Sequence, residues 1–386
     1  MLRNLFARTF SRNLPQDRQG ASTPDSLFSS KHRLVLIDGL RGIAAMAVVF
    51  YHLYGNIRLT LSFDVPVAVD WLLMHGYLGV AIFFVLSGYV ITLNIGRAKI
   101  TPGFMWRFAL RRAIRLDPPY WLSIAAAIAL TFAAAHAFPE LEKTYPSVRQ
   151  VLAHLVYLQG ILGFQDIVPI YWTLTFEVQF YLFILVLLFA AQVTLKVEDA
   201  PQSLAFPVVA GMWLLLAALS LAQFFDWVEI APRGTFLPYW YCFSLGMFCV
   251  WAVSDWLKLG WFAVHWSLVL FCSIAGGWNE TGIVVVITGA LLLVAGKKGK
   301  LHIWTLGRAM QYLGRISYSL YLFHGIVGWS TVSLLKRWTG TPLGMEWAGV
   351  VFVGGLLASI ASAHIVYLLV ERPSIALSRR IRLRRG

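Results

Sequence analysis

Acidic side chains are scarce in this chain: Asp and Glu number 18 among 386 residues, and only 13% of all residues carry charge of either sign. A soluble protein of this size carries about twice that charged fraction, so an ordinary water-soluble globule is excluded. Cysteine is equally sparse. Cys242, Cys249 and Cys272 all fall in apolar runs and have neither metal-site nor disulfide-framework spacing. The HExxH signature and the glycine-rich phosphate loops are missing, so no metal site and no nucleotide-hydrolysis motif is expected. Residues 1–33 contain Arg and Ser without a central apolar stretch and do not read as a secretory signal peptide. They are expected to be a basic, flexible cytoplasmic tail.

What the chain does have is apolar bulk: 59% hydrophobic and 15% aromatic residues, with a mean hydropathy of +0.69. The apolar residues come in blocks of roughly 20, the length that crosses a bilayer as a helix. The expected fold is therefore all-α, a polytopic transmembrane helical bundle. The net charge of +14 sits in connecting segments and tails, where the positive-inside rule places it, so nucleic acid is not an expected partner. Arg379, Arg380, Arg382, Arg384 and Arg385 form a second basic tail, 374–386, expected to lie against anionic lipid headgroups.

Apolar blocks occur near residues 37–58, 76–95, 117–137, 148–164, 172–194, 204–225, 236–256, 260–277, 281–296, 311–335 and 346–370. Crossing at every block would leave one basic tail outside. The block 148–164 is the weakest, broken by Arg149, His154, Gln159 and Gly160. Removing it leaves about ten spans within a membrane domain of residues 34–373, with both termini cytoplasmic and 148–171 re-entrant or interfacial. The inside then receives the segment from Arg97 to Arg115 and that from Lys297 to Arg308. The outside receives the Glu140–Glu142, Asp226–Glu229 and Asn279–Glu280 pairs.

Arg41 and His52 share one face of the first apolar run, about 16 Å apart along the axis. With 1.5 Å per residue and a core of about 30 Å, His52 and Glu177 both lie roughly 22 Å from the inner face and His324 roughly 18 Å. Arg41, Arg112 and Arg115 fall near the inner surface. Ionisable groups at mid-depth usually line a substrate-filled interior, so His52, Glu177 and His324 are candidate catalytic residues, His52 as a general base. Each could instead be a hydrogen-bonded packing residue. Arg112 and Arg115, spaced i,i+3, can grip a diphosphate or a phosphomonoester with their two planar forks; equally, they could anchor to lipid phosphate. Ser317, Tyr321 and His324 share a face, with Tyr318 beside them, suited either to binding substrate or to interhelical hydrogen bonds.

In order, Arg41 with ten residues before His52, Phe83-Phe84-Val85-Leu86-Ser87-Gly88, Arg112-x-x-Arg115 before Pro118-Pro119-Tyr120-Trp121, Trp172-x-Leu-x-x-Glu177, Ile316 through His324, and Glu371-Arg372-Pro373 resemble the acyltransferase 3 family over nearly the whole chain. Ala81 departs from it, where many relatives carry an acidic residue. The resemblance implies an integral protein of the bacterial inner membrane that moves an acyl group, acetyl or succinyl, from acyl-CoA to a hydroxyl of a saccharide or lipid-linked saccharide. It implies acyl-CoA as a co-substrate bound by Arg41, Arg112 and Arg115, no permanently bound cofactor, and His52 as the base. A transporter or flippase for a lipid-linked or amphiphilic substrate is the alternative. It would favour paired hydrophobic halves, and the sequence has none.

Overall fold

A computed structural model of the chain describes residues 33–96, 98–140, 144–195 and 206–383. The expectations for residues 1–32, Arg97, Glu142, Arg384 and Arg385 fall outside the described residues. The regular elements of the described chain are all helices, and its isolated bridge between Leu61 and Leu343 belongs to no strand.

The helices are α1 (Val35–Arg58), α2 (Val67–Met74), α3 (Gly79–Ile95), α4 (Pro102–Ala137), α5 (Val148–Leu155), α6 (Trp172–Leu195), α7 (Phe206–Phe224), α8 (Trp240–Val253), α9 (Leu259–Ala275) and α10 (Glu280–Lys297). There follow α11 (Gly307–Arg315), α12 (Ser317–Phe323), α13 (Trp329–Thr339), α14 (Met345–Val366) and α15 (Arg372–Ser378). Among the described residues, six helical stretches are long and apolar enough to cross a membrane: 35–58, 67–95, 102–137, 169–194, 280–297 and 345–378. Three shorter apolar helices accompany them. The block 148–164 is helical only over the 8 residues of α5 and continues as turns to a short 3-10 turn at Pro169–Tyr171. That is too short to cross, as its broken pattern suggested. The block 311–335, expected as one span, is divided among α11, α12, a π turn at His324–Gly328 and α13.

Local chemistry sets the ends and crossings of the elements that carry the site. Thr101 accepts a hydrogen bond from the Phe104 N–H and Pro102 follows it, a strong helix start. α4 then continues through Pro118 and Pro119; neighbouring helices make such interruptions tolerable within a bilayer. α1 and α11 touch backbone to backbone. A Cβ on Gly42 would lie 2.2 Å from the Met310 carbonyl oxygen, and one on Gly314 would lie 1.8 Å from that of Asp38. In hydrocarbon, where burial alone gives little drive, such close packing of small residues holds helices together. Here it fixes Arg41 beside the start of α12.

The buried side chains form two clusters. One centres on α3, α6 and α8, the other on α1 and α14. α12 lies along the seam: Tyr318, Tyr321 and Leu322 enter the first cluster, Ile316 and Leu320 the second. Phe83 and Trp329 pack against both. The candidate residues gather at this seam.

Candidate active site

α1 and α12 run in the same direction, joined by two polar rungs. Arg41 donates from Nε to Ser317 Oγ at 3.2 Å, and His52 Nδ1 lies 3.0 Å from His324 Nε2. The bonding pattern sets the tautomers of the neutral pair. His324 Nδ1 lies 3.1 Å from the Leu320 carbonyl, which can only accept, so Nδ1 carries the His324 proton. His324 Nε2 is then an acceptor, and His52 must donate from Nδ1. The lone pair of His52 is left on Nε2, to which no described side chain is bonded. The sequence places the two rings on one level; the structure adds that they are bonded, and that His324 sets the tautomer of His52.

A π turn begins at His324. Positions five apart diverge by about 140° on an α-helix, whereas the i→i+5 closure of a π turn brings them together. The Trp329 ring thereby lies 6.4 Å from His324 and 5.3 Å from His52.

Glu177 does not join the histidines. Its Oε1 is 3.8 Å from Arg112 Nη1, which corrects the depth estimate that set it level with His52 and far from the arginines. The 1.5 Å rise applied from an assumed membrane edge ignored the irregular stretch before α6, so the depth at which α6 begins was misjudged. Arg112 is buried, with its guanidinium 5.8 Å from the Phe108 ring centre and 6.0 Å from that of Tyr181. Its Nη2 is buried without a hydrogen-bond partner, an orphan donor suited to an anion.

Two connected spaces meet at these arginines. The wider, a vestibule of about 570 Å³, is lined by eight arginines against two carboxylates, Asp38 and Glu371. Arg41, Arg112 and Arg115 are among them, together with Arg111, Arg315 and Arg372. Arg379, read from the sequence as part of a headgroup-binding tail, also lines it. The narrower space is a slot of about 70 Å³ that shares Arg41, Arg112 and Arg115 and continues past Glu177, Ser317 and Tyr318 to Phe83 and Tyr321. Tyr321 accepts from Thr173 Oγ1 at 2.8 Å and donates to the Ile170 carbonyl at 3.2 Å. Its ring stands 5.7 Å from that of His324 and 6.0 Å from that of Phe83. The slot therefore ends one ring short of the histidine pair. Tyr318 holds a different post: its hydroxyl donates to the Leu116 carbonyl at 2.7 Å, tying α12 to α4 next to Arg115.

Glu371 was not singled out as a site residue. Its Oε2 accepts from the Ser319 N–H at 3.2 Å and from Ser319 Oγ at 2.5 Å. A carboxylate on a first-turn N–H stabilises a helix start, so Glu371 fixes the end of α12 that carries Ser317. Its signal was the Glu371-Arg372-Pro373 segment, whose partner lies 52 positions upstream. No group of metal-ligating side chains occurs among the described residues.

A helical membrane protein with an arginine-lined vestibule, a narrow slot and a buried histidine pair is thereby defined. The acyltransferase domain family matches residues 34–366, and the chain belongs to it. The exopolysaccharide production protein ExoZ of Rhizobium meliloti (strain 1021) is 30% identical over 330 residues, covering 81% of this chain and 93% of that protein. Nodulation protein 10 of Rhizobium leguminosarum bv. viciae is 23% identical over 92% of this chain and 96% of its own length. The peptidoglycan O-acetyltransferase OatA of Listeria monocytogenes serovar 1/2a is 32% identical over 47% of this chain and 28% of its own. No solved structure matches. The chain is an integral membrane acyltransferase by family and by its apolar helices.

Proposed function

We propose that the protein transfers an acyl group, acetyl or succinyl, from acyl-CoA to a hydroxyl of a saccharide or lipid-linked saccharide in the bacterial inner membrane, with His52 as general base. The observation that carries this reading is the sequence of spaces: a basic vestibule narrows into a slot that ends one aromatic ring from His324, the histidine bonded to His52. The vestibule suits the phosphates of coenzyme A, since planar guanidinium forks bind phosphate in pairs. The slot leads from the vestibule toward the histidine pair, the direction the pantetheine arm would take.

In the proposed step the acceptor hydroxyl gives its proton to His52 Nε2 while its oxygen attacks the thioester carbonyl. The carbon–sulfur bond then breaks, the new ester remains on the acceptor, and the proton passes to the departing thiolate. Once protonated, His52 still donates from Nδ1 to His324 Nε2, which stabilises the imidazolium. Glu177 holds Arg112 in place and takes no proton in this scheme. The thioester meets the imidazole once Phe83 or Tyr321 gives way at the end of the slot. The names of the relatives, an exopolysaccharide protein and a peptidoglycan O-acetyltransferase, support a glycan acceptor.

The test is transfer of radiolabelled acetyl-CoA by purified protein, wild type against His52→Ala, alongside acetyl-CoA binding. Loss of transfer with binding intact is expected. Equal transfer by the two proteins overturns the assignment of the base, and transport activity without transfer points to the flippase reading.

A further inference from the structure

Beyond the histidine pair, on the side away from the arginines, lies another cavity of about 180 Å³. Its walls come from Thr131 of α4, Val168 and Pro169 of the irregular segment, and Gly325, Trp329 and Ser330 of the π turn and α13. α1, α4 and α12 all run from the arginine end toward this end. Thr131 stands about 28 Å of helix beyond Arg112, so the cavity has an entrance of its own, apart from the vestibule.

The Trp329 indole stands between this cavity and both histidines. Its Nε1–H is buried and has no hydrogen-bond partner. A buried donor without a partner is rare in a folded chain. The Ser330 side chain is exposed at the rim. Thr131 donates its hydroxyl proton to the Ala127 carbonyl, which leaves its oxygen as an acceptor. An aromatic face with a few polar groups around it matches a pyranose, which has apolar C–H faces and a polar edge. A lipid tail would leave the Ser330 and Thr131 hydroxyls unmatched. The volume falls below the ~300–1,000 Å³ typical of drug-sized ligands, which suits one ring and not a chain.

We infer that this cavity seats the terminal pyranose ring of the acceptor saccharide, stacked on the Trp329 indole that separates it from His52. The inference rests on the acyl-transfer reading and assigns its second substrate to a distinct entrance. Trp329 binds and positions; the proton goes to His52.

The test uses the full chain in nanodiscs with two probes, β-1,4-linked tetrasaccharides of glucose and of N-acetylglucosamine. Trp329→Phe and Trp329→Ala should raise the KM for a tetrasaccharide by about tenfold or more while acetyl-CoA binding stays at the wild-type level. Independently, Ser330→Cys places a thiol at the rim of a chain whose native cysteines are all buried. A bulky maleimide on that thiol should lower transfer at least about tenfold relative to the same variant before treatment. A tetrasaccharide should slow the labelling, and acetyl-CoA should not. Unchanged transfer after blocking, or labelling that neither tetrasaccharide slows, overturns the assignment. If Trp329→Ala does not fold, the Ser330→Cys measurements decide alone. Wild-type protein that binds no acetyl-CoA overturns the acyl-transfer reading instead, and saccharide protection of the thiol still reports on the cavity.

Discussion

Replacing His324 by Phe removes the acceptor of the His52 Nδ1 proton while keeping a ring of similar size in a fully buried place. The 3.0 Å bond then no longer distinguishes the two tautomers of His52, nor stabilises its imidazolium once the acceptor proton arrives. A hydrogen bond to a charged group is worth about 1.5–3 kcal/mol, so kcat should fall about 10- to 150-fold. Acetyl-CoA affinity should not move, because no arginine of the vestibule touches this ring. His324→Gln puts a side-chain carbonyl in reach of Nδ1 and should recover part of the loss, which a purely structural role for the ring would not explain. The assay is single-turnover transfer from radiolabelled acetyl-CoA, with donor affinity measured separately. Wild-type kcat in His324→Phe, or a loss confined to donor affinity, refutes the tautomer argument.

Arg115→Lys exchanges a planar fork for a point charge and should weaken acetyl-CoA binding about tenfold, read by equilibrium dialysis, with the acceptor KM unmoved; a change in acceptor KM alone would dissociate Arg115 from the donor. Gly314→Ala drives a methyl group against the Asp38 carbonyl and should destabilise the chain by about 1–3 kcal/mol, seen as a lower Tm in detergent, whereas Gly344→Ala, with open space around it, should not. His154 is fully buried, accepts from the Ile167 N–H through Nε2 and donates from Nδ1 to the Gln150 carbonyl, and burial lowers its pKa below the ordinary 6.5. The unfolded imidazole therefore takes up a proton at higher pH than the folded one, so its contribution to stability is complete above about pH 6.5 and shrinks as pH falls below that. His154→Leu should lower the Tm at pH 7.5 and flatten its decline toward pH 5.

The helical class and the failure of 148–164 to cross were legible because block length and interrupting polar residues report directly on bilayer crossing. The arginine pair was legible from its i,i+3 spacing, and Arg41 with His52 from an eleven-residue step that returns to one helix face. Glu177 was misplaced because depth along α6 depends on where an irregular segment delivers the chain, and no local pattern carries that. The bond between His52 and His324 spans 272 positions, and the π turn that brings Trp329 beside them has no periodicity to betray it. Arg379 read as part of a headgroup-binding tail and Arg315 lay inside an apolar block, since only the folded chain shows them, with Arg372, surrounding one space.

The aromatic closure formed by Phe83 and Tyr321 has a metabolic consequence. In the proposed reaction it would keep a loaded thioester out of contact with the imidazole, because Phe83 and Tyr321 stand at the end of the slot. On that reading, a chain that left this passage open would drain cellular energy by idle hydrolysis, and the barrier would let a charged enzyme wait until something worth modifying arrives.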